Sequence, residues 1–387
     1  MSKPTIFVAA ALCLSVAAYS QDVNKIHKKA ILIDTHDDVL SRQIKNGLDL
    51  AKEHEVFDFD LVKAKKGGLD AQVFSIWCDE KGDYNNAVTE IDSLDALLKR
   101  HPDKIALATT AEDVRKIVAQ NKLAALIGVE GGHMINDDLN KLDELAKRGM
   151  IYLTLTWNNS TEWATSAVDE RGGKLKDRPL GLNEFGKKIV KRLNKLGVMV
   201  DLAHVGEQTF YDAIKLSTKP IIVSHSCVYA INPVPRNLTD DQILAVRKNG
   251  GVISVNFYNG FVMPNHEADF KAFLDKHKDE YRELKTQNAK TAAKELIKRH
   301  PEEFEKIQPS IDLLVDHIDH IVKLIGIDHV GIGADYDGAT SYPKGLDNVA
   351  DYPKLTAALL KRGYSEKDIQ KIYGENFLRV LKANRGK

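Results

Sequence analysis

Cysteine is nearly missing from this sequence: there are three in 387 residues, which rules out a small fold stapled by a disulfide framework. A surplus of charge is missing as well. Lysine plus arginine and aspartate plus glutamate each number 55, so the chain has no basic footprint for nucleic acid and nothing that favours tight binding to an anionic membrane. Internal repeats, low-complexity linkers and a glycine-rich phosphate loop after the first strand-like run are all absent, which counts against a solenoid and against a nucleotide-binding sheet. Long apolar runs are absent beyond residue 20. The one at the start, Ile6 to Ala18, is 13 residues long with Ser15 as its only polar member, shorter than the roughly 20 residues of a membrane span. Lys3 precedes it and Ala18-Tyr19-Ser20 follow it, the pattern of a signal peptide spanning residues 1–20. An uncleaved anchor is the alternative. No cysteine stands at the cleavage point, so a lipid anchor is not expected. Removal of this segment leaves Cys78 and Cys227, read as free packing residues, and an exported protein, periplasmic or extracellular, without stable membrane insertion.

What is present is a hydrophobic fraction of 43% spread along the whole length, which excludes disordered and collagen-like chains. Short, near-continuous apolar runs alternate with polar helical stretches. The runs are Ala30–His36, Leu69–Trp77, Leu123–Glu130, Ile151–Thr156, Val198–Ala203, Pro220–Ser224, Gly251–Phe257 and His329–Ala334. Such runs are the mark of strands buried on both faces of a parallel sheet. Helical stretches such as Ile91–Arg100, Asn140–Arg148 and Glu184–Leu196 intervene, and Gly149, Gly197 and Gly250 stand where helices stop before the next strand. Eight strands alternating with helices predict an α/β fold, a closed (β/α)₈ TIM-like barrel, with an open doubly wound sheet as the alternative. Residues 263–310 break the rhythm with twenty charged residues in 48 and no strand-like run. They are expected to be a helical insertion after the seventh strand, with helices over Phe270–Tyr281 and Ala289–His300, forming a solvated excursion or, alternatively, a lid or partner surface. The remainder, 21–387, is expected to be a single domain.

The polar residues at the strand ends form a constellation. The first strand ends in His36-Asp37-Asp38, with His36 and Asp38 two apart and so on one face of extended chain. The third ends in Glu130, the fifth in His204, the sixth in His225 and the eighth in Asp335. In a barrel these ends meet at one mouth, where active sites of this fold lie, and imidazoles with carboxylates suit Zn²⁺ and similar ions. His133 is either a neighbour of the ligands or a loop-packing residue. Asp34 either orients His36 or is simply a buried, hydrogen-bonded acid. The other histidines, His54, His277 and His300 among them, read as surface or packing residues.

These stretches also resemble the membrane (renal) dipeptidase family, binuclear zinc dipeptidases with an amidohydrolase-like barrel. The resemblance rests on Ile33-Asp34-Thr35-His36-Asp37-Asp38, Gly128-Val129-Glu130-Gly131-Gly132-His133, Asp201-Leu202-Ala203-His204-Val205-Gly206, Ser224-His225-Ser226, Pro235-Arg236-Asn237-Leu238 and Asp328 to Gly338, with Tyr373-Gly374-Glu375-Asn376-Phe377 near the C-terminus. It spans about residue 28 to 380 and leaves out the insertion. It implies a metal-dependent hydrolase with two Zn²⁺ ions, His36 and Asp38 on one, His204 and His225 on the other and Glu130 bridging. A water shared by the metals and acidified toward neutrality would attack the peptide carbonyl. Asp335 would hold that nucleophile and pass its proton to the leaving amine. Arg236 would clamp the terminal carboxylate of a dipeptide, sometimes one with a C-terminal D residue. A homodimer is the family's usual assembly. One departure stands out. Where the family's dipeptidases place a histidine after the fourth strand, this chain has Trp157, which offers bulk and one N–H donor but no base. Asn158 and Asn159 are the nearby polar substitutes. Trp157 is thus a candidate substrate-contacting residue, and it keeps open a deacylase or lactonase on the same fold. A non-catalytic binding barrel is the remaining alternative.

Overall fold

The computed structural model describes residues 23–386 apart from 80, 81, 174, 176 and 290; the signal-peptide segment lies outside the described residues. All eight expected strands form, as β1 (Ile33–Asp37), β2 (Ala71–Trp77), β4 (Leu123–Glu130), β5 (Met150–Thr154), β6 (Met199–Asp201), β7 (Ile222–Ser226), β8 (Val252–Val255) and β9 (Val330–Ile332). They pair in parallel in the order β2-β1-β9-β8-β7-β6-β5-β4, and β4 pairs back onto β2, which closes the barrel and excludes the open sheet. One strand escaped the sequence reading. β3 (Ile105–Leu107) pairs with Leu123–Ala125 at the start of β4, while β2 occupies the other edge of the same residues. It extends the sheet outside the barrel, and three residues are too few for a periodic pattern.

Period-two alternation sorts the barrel residues into two cores. On β4, Ala124 and Leu126 join Val73, Met199, Ile222 and Val252 in an interior floor. Ala125, Ile127 and Val129 face the surrounding helices. Phe377, Leu378 and Leu381 of the last helix, Asn376–Arg385, close the floor. Helices end as their sequences direct: Gly197 and Gly250 take left-handed conformations at φ 71° and 82° that close Glu184–Leu196 and Asp240–Asn249. With the floor sealed by apolar side chains, the polar residues collect at the other end, the C-terminal end of the strands.

Between β8 and the long helix Ile311–Ile325 lies the expected helical excursion: His266–Lys276, Lys278–Asn288, Ala292–Arg299 and Pro301–Phe304. The expected helix Phe270–Tyr281 is in fact divided at His277, whose backbone (φ −106°, ψ 28°) ends one helix and begins the next. The excursion has an apolar cluster of its own, Phe270, Phe273, Leu284, Leu296 and Phe304. It is also tied to the barrel, because Lys294 pairs with the buried Asp58. Among the described residues no helix is long and apolar enough to cross a membrane. Cys78 and Cys227 are buried and free.

Candidate metal centre and active site

Every barrel strand sends a side chain to the mouth. β1 carries His36, and Asp38 follows it. The strand stops at Asp37, so Asp38 sits at the start of the helix Val39–Asn46 and not on extended chain as the spacing predicted. It still reaches inward, its Oδ2 3.5 Å from His36 Nε2. Glu130 ends β4, His225 lies within β7, and His204 and Asp335 lie three residues beyond β6 and β9. Glu130 is the hub. Its Oε2 is 3.4 Å from His36 Nε2, and its Oε1 is 2.7 Å from His204 Nε2 and 3.4 Å from His225 Nε2. The two latter ring nitrogens are 2.9 Å apart. His36, Asp38 and Asp335 form a second group of donors whose atoms all lie within 4.8 Å of one another. All five expected ligands and Asp335 are therefore brought together.

The hydrogen bonds behind the rings fix which nitrogen carries the proton. The Tyr152 hydroxyl has one hydrogen, given to the carbonyl of Thr35 at 3.0 Å, so toward His36 Nδ1 at 3.1 Å it accepts. Ser224 gives its hydrogen to Asp201 at 2.6 Å and accepts from His225 Nδ1 at 2.9 Å. Asn158 presents its carbonyl oxygen to His204 Nδ1 at 3.1 Å. All three imidazoles thus carry Nδ1–H and turn Nε2 toward Glu130, the orientation a metal ligand needs. The lone pairs of His204 and His225, on nitrogens 2.9 Å apart, repel unless a cation lies between them. His36 Nε2 and Asp38 Oδ1 are buried without a hydrogen-bond partner, which a native interior tolerates where an ion completes the site. The donor set of three imidazoles and two carboxylates fits divalent ions of the zinc class.

Electrostatics agree for His204 and His225, which are held neutral, whereas the acids beside His36 favour its charged form. Burial alone would raise Glu130, but His36 and His204 beside it hold its carboxyl well below the usual range. Burial, together with Arg236, lowers His204 to about 4, and burial with His36 holds His225 well below the ordinary imidazole range. Only His36 is raised: burial opposes, but Tyr152, Glu130 and Asp38 outweigh it. Burial pushes Asp335 up to about 8, with Asp38 and Glu130 adding to it and His36 and a hydrogen bond from Asn256 working against it. A carboxyl poised there can exchange a proton near neutral pH.

Backbone conformation is unusual where two of these side chains project. His204 and Asp335 adopt φ of 65° and 62°, left-handed values that side-chain-bearing residues seldom take. Two glycines serve close approaches. A Cβ on Gly338 would sit 2.1 Å from Asp38 Oδ2 and 2.2 Å from Asp335 Oδ1, and one on Gly128 would sit 2.1 Å from the ring of Tyr152.

The donors open onto a cavity of about 440 Å³ lined by Trp77, Trp157, Arg236, Tyr258 and Phe261 among others. Arg236 is 6% exposed. It donates only long bonds, 3.4 Å to Ser226 and 3.3 Å to the His225 carbonyl, over the Phe261 ring. Its Nε has no partner, and no carboxylate pairs with it among the described residues. Burial brings it down to about 10. Trp157 packs edge-on against Trp77 at 5.3 Å and lies 6.4 Å from the His204 ring. Asn158, next to it, gives its carbonyl oxygen to His204 and lines the same cavity.

Two sequence readings resolve here. His133 is 3.5 Å from Cys78 Sγ and lies against Gly131, a loop-packing residue. Asp34 orients backbone: its Oδ1 accepts from the N–H of His36 and of Ala334, and its Oδ2 from Tyr352. The ring of His36 is oriented by Tyr152, which the sequence reading missed together with Ser224 and Trp77. Tyr152 was inside a recognised strand, and its inward position two residues before Thr154 was the available signal.

A closed parallel barrel whose mouth gathers imidazoles and carboxylates around one central glutamate is the architecture of a metal-dependent hydrolase. Comparison with known proteins narrows this. The profile of the membrane dipeptidase family (peptidase family M19) matches residues 20–386, and the chain belongs to that family of metal-dependent dipeptidases. Among solved structures it is similar to the probable dipeptidase PvdM from Pseudomonas aeruginosa, with 24% identity, a TM-score of 0.76 and coverage of 96% of this chain and 99% of that one. It is similar to a metallo peptidase from Rhodobacter sphaeroides liganded with a phosphinate mimic of the dipeptide L-Ala-D-Ala, with 24% identity, a TM-score of 0.74 and coverage of 92% and 99%. It is also similar to dipeptidase AC, a metallo peptidase of family M19, with 25% identity, a TM-score of 0.74 and coverage of 92% and 99%.

Proposed function

We propose that this metallodipeptidase is an exported, two-zinc enzyme that hydrolyses free dipeptides, including ones with a C-terminal D residue. The observation that carries the reading is the set of three Nε2 atoms turned onto Glu130 beside an unpaired, buried arginine. His36 and Asp38 would hold one ion, His204 and His225 the other, with Glu130 shared. Ions bound there supply Lewis-acid polarisation of the scissile carbonyl and acidify water. The chain's own residues do the rest. Asp335 takes the proton of the attacking water and delivers it to the leaving amine, which its raised affinity for a proton supports. Arg236 receives the substrate's terminal carboxylate; a planar fork without an acidic partner of its own is suited to that anion. Trp77 and Trp157 form the apolar wall against which a side chain of the substrate lies. The short apolar run at residues 6–18 supports export, and a homodimer follows from the family resemblance. The L-Ala-D-Ala mimic bound by the Rhodobacter sphaeroides relative supports acceptance of a D residue here.

A second reading, a deacylase or lactonase, is favoured by Trp157, which puts an apolar ring where the family's dipeptidases carry an imidazole. Amine release from L-Ala-L-Ala, L-Ala-D-Ala and matched N-acetyl amino acids, with and without chelator, separates the two. Chelator-sensitive cleavage of the free dipeptides is expected. Turnover of the N-acetyl compounds or of lactones, with silence on dipeptides from metal-loaded protein, would replace the first reading with the second.

A further inference from the structure

The excursion after β8 contains a second convergence of histidine and glutamate that the active site does not use. Its sequence carries the same short pattern twice, His277-Lys278-Asp279-Glu280 and His300-Pro301-Glu302-Glu303. In each copy the histidine stands at the start of a helix and the glutamate lies three residues, one turn, along it. The two copies meet crosswise: His277 Nε2 is 3.2 Å from Glu303 Oε2, and His300 Nε2 is 2.8 Å from Glu280 Oε2. The two rings stack at 3.8 Å with 26° between their planes. One donor atom from each of His277, Glu280 and His300 can be chosen so that all three lie within 4.8 Å of one another. None of these residues lines the catalytic cavity.

We propose that His277, His300 and Glu280, with Glu303 beside them, bind a divalent transition-metal ion of the zinc class that pins the two halves of the excursion together. Two imidazoles and one or two carboxylates are a sufficient donor set for such an ion. Each carboxylate is turned to a ring, Glu280 Oε2 to His300 and Glu303 Oε2 to His277. Arg299 takes Glu280 Oε1 at 3.0 Å and leaves Oε2 on the side of the rings, the way an outer partner orients a metal-bound carboxylate. The site lies at the surface end of the excursion's own apolar cluster, with Phe273 5.2 Å from the His277 ring and 6.4 Å from that of His300. The His277 side chain is 13% exposed and that of His300 27%, so an ion can enter. An ion there joins the helix that begins at His277 to the one that begins at His300, two segments otherwise held by a small cluster and exposed ion pairs.

The test is a count of bound metal on the full chain. Chelator-stripped protein is titrated with Zn²⁺, then with Co²⁺, freed of excess metal by gel filtration and analysed by mass spectrometry of the metal. The wild type should retain about one equivalent more than a His277→Gln/His300→Gln variant, and Glu280→Gln should weaken that equivalent roughly tenfold or more. The Lys276→Ala variant should keep it. Equal metal content in wild type and the double variant would overturn the proposal and leave the cluster an ion-pair network. Should the double variant not fold, an unchanged Zn²⁺ affinity in Glu280→Gln overturns it equally.

Discussion

Removing one oxygen atom from Tyr152 should loosen the metal centre without touching a ligand. The hydroxyl lies between the Thr35 carbonyl and His36 Nδ1, at 3.0 and 3.1 Å, in a fully buried position. Tyr152→Phe keeps the ring and its packing, but it leaves a carbonyl oxygen and an imidazole N–H unpaired in the interior. Such groups cost about 1–3 kcal/mol each in stability when orphaned. The imidazole is also freed to take the other tautomer, with its proton on the nitrogen that should face the ion. Loss of an outer partner of this kind lowers metal affinity by roughly 10–100-fold, about 1.4–2.7 kcal/mol. Gly128→Ala approaches the same hydroxyl from the neighbouring strand, since its Cβ would fall 2.1 Å from the Tyr152 ring and 2.4 Å from the hydroxyl oxygen. The ring has to move, so this variant should lose both packing and affinity. Tyr373→Phe is the control: its hydroxyl pairs with Thr356 at 2.7 Å, far from any ligand, and its loss should cost stability only. The assay is competition for Zn²⁺ against a chromophoric chelator, with urea unfolding in parallel. Unchanged Zn²⁺ affinity in Tyr152→Phe, in protein that has lost stability, would refute the tautomer argument.

Asp335→Asn should keep its metal and lose roughly 10²–10⁴-fold in kcat on L-Ala-L-Ala; a smaller loss would remove Asp335 from the proton path. In metal-stripped protein the same substitution has a pH signature. Asp335 is raised to about 8, so its contribution to stability is present below the ordinary value of 3.8 and is lost as pH rises through 8. Wild type should therefore fall relative to Asp335→Asn between pH 4 and 8, by at most about 1.4 kcal/mol per pH unit, as read by urea midpoints; parallel profiles would contradict this. Arg236→Met should raise KM for dipeptides by roughly 10-fold or more while leaving dipeptide amides, which lack the carboxylate, nearly unaffected; equal losses on both would place Arg236 elsewhere. Trp157→Ala should raise KM more for substrates with large apolar side chains than for L-Ala-L-Ala, by about 1–3 kcal/mol of binding; a uniform change would argue against a wall role.

The barrel was legible because its strands are buried on both faces and so read as unbroken apolar runs, and because glycine closes the helices between them. β3 was not legible, since Ile105–Leu107 is too short for any period to show. The candidate ligands and Asp335 were legible for a topological reason: parallel strands bring all their C-terminal residues to one end, so His36, Glu130, His204, His225 and Asp335 had to meet if the barrel closed. What lies one contact away was not legible. Tyr152 and Asn158 are remote in sequence from the rings they meet, and although Ser224 adjoins His225, a neighbouring serine is no signal of a bond to its ring; only the packing of β5 into the barrel puts a tyrosine hydroxyl on His36. The division of one expected helix at His277 was missed for a related reason. Phe270 to Tyr281 keeps an apolar period through the break, where Phe273 packs against Phe304 of a later helix at 5.8 Å.

The interior of the mouth is paid for in stability. Asp34 and Asp337, each raised to about 6 by burial, and Asp335 at about 8 are acids the fold holds out of water. His204 and Asp335 sit on left-handed backbone that costs of order 1–3 kcal/mol each. An apolar floor sealed by Phe377, Leu378 and Leu381 is what allows it, because every buried leucine-sized side chain contributes about 1.5–3 kcal/mol. The two ends of the barrel are thus complementary: one is over-determined by packing so that the other can keep unpaired nitrogens, strained backbone and an arginine without a counter-ion. A bound cation removes the largest of these costs, the facing lone pairs of His204 and His225, and a substrate carboxylate removes the next, the solitary charge of Arg236. Stability of the folded chain should accordingly rise in two steps, first with metal and then with a carboxylate-bearing ligand, and the second step should vanish in Arg236→Met.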